Sequence, residues 1–124
     1  VRKMLRNDMA CYKARAEAVR HAEVYRGAFA ISVCPSEDVE SPTIVGAQAA
    51  NELLNIIGIK ASFVLTEYAG KIYISSRSID EINVQLIMER MGGGGHLTGC
   101  TISEAKHAIM RTIDEMLEEG DIQE

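Results

Sequence analysis

The sequence predicts an α/β domain: a mixed β-sheet of about four to five strands, flanked by helices and preceded by a connector helix. Three observations point there. A long opening segment free of Gly and Pro is helix-forming, short β-rich runs alternate with helical stretches, and two of those runs flank a Gly-containing turn. A strand–helix–strand unit followed by a hairpin makes a mixed sheet, and such a sheet needs helices packed against it.

In chain order, Met4, Leu5, Met9, Tyr12, Ala16 and Val19 recur at three-to-four spacing, so the segment from Arg2 to Val24 predicts a helix with one apolar stripe. Alone it has little to pack on, and it is expected to connect to or dock on a neighbouring unit. Arg26-Gly27 punctuates the chain, and Ala28 to Cys34 is an apolar run that reads as a buried strand. Pro35 to Pro42 is a polar loop. Thr43 is the expected cap of a second helix, with Ile44, Val45, Ala47, Ala50, Leu53, Leu54 and Ile57 inward and Gly58 ending it. Ile59 to Glu67 and Ile72 to Arg77 form a hairpin around Tyr68-Ala69-Gly70-Lys71. A helix starting at Ser78 or Asp80 runs to Met91, with Ile82, Leu86, Ile87 and Met91 inward. The last helix opens at Ser103-Glu104, turns Ala108, Ile109, Ile113, Met116 and Leu117 inward, and closes at Gly120.

The 124 residues suit one domain with its own core. A net charge of -5 argues against avid binding to duplex DNA, while leaving room for a small phosphorylated ligand held by a few local groups. Cys11, Cys34 and Cys100 are widely spaced and odd in number, which fits neither a zinc site nor a disulfide framework and favours a reducing compartment. No apolar run approaches the ~20 residues that span a bilayer. The chain opens on Val1, already in a helical pattern, and is expected to be a piece of something longer.

The candidate site centres on Gly92-Gly93-Gly94-Gly95-His96. Glycines let a ligand approach the main chain, and successive N–H groups can form an anion-binding nest. His96 adds a donor that responds near neutral pH. The alternative is a flexible linker or a tight turn. Against it, the run is short, lacks serines and lies between well-patterned segments. Arg77, beside Ser75, Ser76 and Ser78, offers a guanidinium fork for phosphate oxygens, or is an ordinary exposed strand-end arginine. The two readings separate on whether Arg77 and the glycine loop meet in space. Asn83 is either helix-stabilising or ligand-facing. His21 and His107 read as solvated or half-buried. No second His, Asp or Cys stands at ligand spacing from His96, so a metal site built from this chain alone is not expected.

Arg77-Ser78, Asn83-Val84 and then Gly92-Gly93-Gly94-Gly95-His96-Leu97-Thr98 resemble the DHH-associated domain of DHH-family phosphoesterases, most closely that of the membrane-anchored cyclic-di-AMP phosphodiesterases. The resemblance implies a connector helix over 1–23, following a catalytic DHH domain, and a substrate-binding domain over 24–124. It implies His96 as catalytic, hydrogen-bonding a phosphoryl oxygen. Arg77, Ser78, Asn83, Gly92, Gly93, Gly94, Gly95 and Thr98 are the implied substrate-binding residues. Two manganese ions would sit in the DHH domain, with none held by this chain. The implied partners are a cyclic dinucleotide or short oligonucleotide, the upstream DHH domain and a second copy in a homodimer. The implied location is the cytoplasmic face of the cell membrane. Similar domains also serve RecJ-like and nanoRNase-like enzymes and non-catalytic nucleic-acid-binding appendages. The last would call for a basic, aromatic-lined face, yet the chain has two Phe and four Tyr. One departure stands out: Gly99-Cys100 runs almost directly into Thr101-Ile102-Ser103-Glu104, where the family has a further strand and loop.

Overall fold

The computed structural model describes residues 2–35, 41–79, 83–92 and 96–120, with side chains from Met9 onward. Among the described residues, four helices and five strands follow one another as α1 (Arg2–Arg20), β1 (Glu23–Tyr25), β2 (Phe29–Val33), α2 (Pro42–Leu53), β3 (Ala61–Tyr68), β4 (Lys71–Ser78), α3 (Val84–Arg90), β5 (His96–Leu97) and α4 (Ile102–Glu119). The sheet order is β1-β2-β3-β4-β5. The β2–β3 pair is parallel, bridged by α2, and the other three pairs are antiparallel. This is the α/β fold with a mixed sheet that the patterning predicts.

β3 is the middle strand, and its sequence shows why. Ala61, Phe63 and Leu65 face one core with Phe29, Ile31, Ile72, Ile74, Ile87, Ile109, Ile113 and Met116, under α3 and α4. Val64 faces the other, with Ala30, Val45, Ala49, Ala50 and Leu53, under α1 and α2. Ser62 and Thr66 share that second face and are buried, so alternation here separates two cores rather than core from solvent. Ser62 Oγ donates to the Ala50 carbonyl at 2.7 Å. Thr66 Oγ1 is buried with no partner among the described residues, directly beneath Gly46 of α2. A Cβ at Gly46 would stand 2.7 Å from that oxygen and 3.3 Å from Ser75 Oγ, so a bare backbone is what lets α2 lie this close to the sheet.

Several boundaries differ from the sequence expectation. α1 stops at Arg20, because Glu23–Tyr25 leaves the helix to pair with Phe29–Ile31 through a turn with Arg26 at φ 53° and Gly27 at φ 75°. Its buried side is Ala14 and Ala18, with Cys11 half-buried, whereas Met9, Tyr12 and Ala16 are exposed. Small residues form the packing side because α1 lies close on the layer beneath. In α2 the cap position is Ser41, with no side-chain cap bond, and the helix ends at Leu53. Ile44 and Ile57 are exposed, since the turns after Leu53 carry Ile57 off the helical face. Leu86 is exposed as well, and Ile87 fills the core from α3. Ile82 lies outside the described residues.

α4 begins at a capping box in which Thr101 and Glu104 satisfy each other's backbone N–H, holding the Glu104 carboxyl below its ordinary range, and ends on Gly120 at φ 81°. It is tied to β1 by Tyr25, whose hydroxyl donates to both Asp114 oxygens at 2.8 and 2.7 Å, and by Arg26 Nε, 2.7 Å from Asp114 Oδ1. The hydrogen bond to the Asp114 carboxylate, with some burial, raises the Tyr25 pKa above its ordinary value.

Two substitutions test this packing. Ala69 and Gly70 close the β3–β4 hairpin at φ 54° and 77°, the left-handed pair of a two-residue type I′ turn. Ala69→Asn is expected to raise stability by about 0.5–1 kcal/mol in urea unfolding, since Asn tolerates that conformation better. An unchanged or lower midpoint contradicts the assignment. Gly46→Ala is expected to cost about 1–3 kcal/mol by overpacking, and adding Thr66→Ala to it should cost less than the two single losses together.

Candidate functional site

Strand alternation decides which predicted site residues share a surface. On β4, Ile72 and Ile74 go into the α3–α4 core, so Lys71, Tyr73, Ser75 and Arg77 take the α2 side. The two faces differ in cover. Ser62, Val64 and Thr66 of β3 are fully buried on the α2 side, while Tyr73, Ser75 and Arg77, one strand outward, are half-buried. The helical layer thins over β4 and leaves a polar ledge.

β5 completes that ledge. It pairs antiparallel with β4, setting His96 opposite Tyr73 and Leu97 opposite Ile72. Directly opposed residues point to the same face. The Tyr73 and His96 rings lie 5.7 Å apart between centroids, inclined at 46°. Leu97 joins the α3–α4 core, and His96 is exposed. His96 and Arg77 therefore stand on one face, on neighbouring strands. They are not adjacent: Arg77 is four residues from Tyr73, about 13 Å along the strand.

Arg77 is held in place. Its Nε donates to Asn51 Oδ1 of α2 at 3.1 Å and its Nη1 to the Ser76 carbonyl at 2.7 Å. A guanidinium has five N–H donors, and these two are the ones engaged among the described residues. Asn51 had no signal in the sequence, being one polar residue on the outer side of a helix. Tyr73 could have been found by counting back from Arg77 in steps of two, through Ser75.

The other predicted residues fall elsewhere. Ser78 alternates to the face opposite Arg77, paired with Ala61 at the end of β4. Asn83 is the cap of α3, its Oδ1 accepting from the Leu86 N–H at 3.2 Å. Gly92, at φ 114°, follows the last turn of α3 and donates its N–H to the Glu89 carbonyl at 3.1 Å. Thr98 is exposed just beyond β5, and Gly93, Gly94 and Gly95 lie outside the described residues. Thr98 to Cys100 carry the chain from β5 to Thr101, the cap of α4.

Two surface grooves lie away from this ledge. One, of about 400 Å³, runs between α1 and α2 and is lined by Cys11, Tyr12, Arg15, Ser41, Ile44, Val45 and Gln48. The other, of about 340 Å³, lies beside it along Tyr12, Arg15, Val19 and Glu52. Arg15 spans both, 2.9 Å from Glu52 and 5.7 Å from the Tyr12 ring centroid. Neither groove contains a predicted site residue. Burial, with Cys11 nearby, pushes the Cys34 thiol up to about 11, which leaves it unreactive. Among the described residues no three His, Cys, Asp or Glu side chains gather as a metal site, and no helix is long and apolar enough to cross a membrane.

The family model for the DHHA1 domain matches residues 27–119. The chain belongs to the DHHA1-domain family. Among its relatives are the cyclic-di-AMP phosphodiesterase PdeA of Listeria monocytogenes, 39% identical over 92% of this chain, and the cyclic-di-AMP phosphodiesterase GdpP of Geobacillus thermodenitrificans, 37% identical over 97%. GdpP of Bacillus subtilis is 36% identical over 97%. This DHHA1 domain spans only 18–20% of the length of those three relatives. An exopolyphosphatase-related protein from Bacteroides fragilis shares the fold, with a TM-score of 0.70 over 86% of this chain and 34% of that one at 18% identity.

The cap assignment of Asn83 is testable without a ligand. Asn83→Ala is expected to lower stability by about 1 kcal/mol, and Asn83→Asp to keep most of it. Thermal unfolding measures both. An Asn83→Ala protein as stable as the wild type would return this residue to the ligand-facing reading.

Proposed function

We propose that this DHHA1 domain grips the phosphate and nucleoside of a substrate for a manganese-dependent phosphodiesterase that hydrolyses cyclic-di-AMP to the linear dinucleotide. The observation that carries the reading is that Arg77 and His96 stand on one thinly covered face, in a chain whose relatives bear that activity in their names. A guanidinium suits a non-bridging phosphate oxygen in the bound state. An imidazole N–H aimed where charge grows on phosphorus-bound oxygen stabilises the transition state more than the ground state. Hydrolysis breaks one P–O ester bond, water giving its hydroxyl to phosphorus and its proton to the departing ribose oxygen.

The residues described here offer no ligand set for manganese. The ions belong, in this reading, to a catalytic DHH domain elsewhere in the longer protein, at the cytoplasmic face of the membrane. This domain's part is to bind and orient. Gly93 to Gly95 would supply backbone donors next to His96.

In the full-length protein supplied with manganese, His96→Ala is expected to slow cyclic-di-AMP turnover by about 10²-fold or more, the scale of one lost transition-state donor. Arg77→Ala should mainly raise KM. Steady-state product formation, followed chromatographically, separates the two. Turnover by His96→Ala at the wild-type rate contradicts the role of His96, and an Arg77→Ala protein with unchanged KM and kcat removes Arg77 from the site.

A further inference from the structure

The ledge holds more than the two groups a phosphate needs. Tyr68, Lys71, Tyr73, Ser75, Arg77 and His96 all belong to the same face of β3, β4 and β5. Cations sit at both ends, Lys71 beside the hairpin turn and Arg77 near the strand's end, with the paired rings between. Tyr68 and His96 are exposed and Tyr73 half-buried, so apolar ring surface meets solvent in a region otherwise built from charged and hydroxyl side chains.

Resting on the phosphodiesterase reading above, we propose that Tyr73 is the platform on which this domain receives a nucleobase of its substrate. The ring is the right kind of surface in the right place. Every base has a π-face, and stacking on tyrosine binds it without reading its edge. The Tyr73 and His96 rings are already in contact at 5.7 Å and leave no gap for a third ring between them, so the base lies across their solvent side. The spacing suits a nucleotide, because His96 reaches the phosphoryl group from beside the ring that carries the base. The backbone supports it as well. Tyr73 pairs with Thr66 on one side and His96 on the other, so the platform is fixed by two neighbouring strands rather than carried on a loop.

A purely structural alternative exists. A cross-strand ring pair also helps to hold a two-residue edge strand, and Tyr73 would then act only by positioning His96. The two roles part on whether the effect needs a base. In the full-length protein, Tyr73→Leu is expected to raise KM for cyclic-di-AMP about tenfold with kcat within about twofold of the wild type. Competitive inhibition by AMP should weaken about tenfold, while inhibition by ribose 5-phosphate, which has the phosphate and no base, is unchanged. Tyr73→Phe, which keeps the ring, should recover most of the lost affinity.

A fall in kcat with both inhibitors weakened alike identifies Tyr73 as a positioning residue and overturns the platform. Wild-type KM and AMP inhibition in Tyr73→Leu overturns it too, and leaves the phosphodiesterase reading standing. A wild-type protein that turns over neither cyclic-di-AMP nor a short RNA dinucleotide removes that reading, and the platform with it.

Discussion

The register of the β3–β4 hairpin is the constraint on which the rest of this domain depends. Eight residue pairs run from Ala61–Ser78 to Tyr68–Lys71, closed by two residues in left-handed conformation. A slip of one residue would turn Ile72 and Ile74 out of the core and bring Tyr73 and Arg77 into it. Burying a guanidinium and a tyrosine against Phe63 and Ile109 is costly, so the core and the turn together hold one register. β5 inherits it, since His96 can only oppose Tyr73 where Leu97 also reaches the apolar core.

Helix cover then divides this frame into a closed half and an open half. α2 comes close over β3 because Gly46, Ala49 and Ala50 present almost no side chain to it. The same closeness leaves Thr66 Oγ1 without a partner among the described residues, a local penalty of tight packing. One strand outward the cover gives way, and β4 shows its polar alternation to solvent. On the opposite face α4 seals Ile72 and Ile74 with Ile109, Ile113 and Met116. The sheet is therefore open on one side of β4 and supported by packed helix on the other.

Much of this was legible in the residues. The hairpin, the strand from Ala28, and the last helix with its Gly120 stop follow from alternation, β-branched content and cap chemistry. The Arg77-Ser78, Gly92–Gly95 and His96 pattern pointed to the family. What was hidden depended on neighbours. Glu23–Tyr25 is a strand only because β2 lies beside it, and three residues carry no periodicity of their own. The apolar residues Met9 and Tyr12 suggested the buried side of α1, but contact distance selected Ala14 and Ala18 instead. Asn83 and Ser78 were expected beside Arg77, yet Asn83 caps a helix and Ser78 turns to the opposite face, and no spacing rule separates those placements.

In the proposed reading, substrate meets the α2-side face of β4 and β5. Backbone hydrogen exchange in the full-length protein, compared with and without cyclic-di-AMP under conditions that block turnover, tests it directly. Slowed exchange confined to segments 71–78 and 92–99, with α4 unchanged, is the predicted result. Protection along α4, or none within this domain while the substrate is bound elsewhere in the protein, would contradict it.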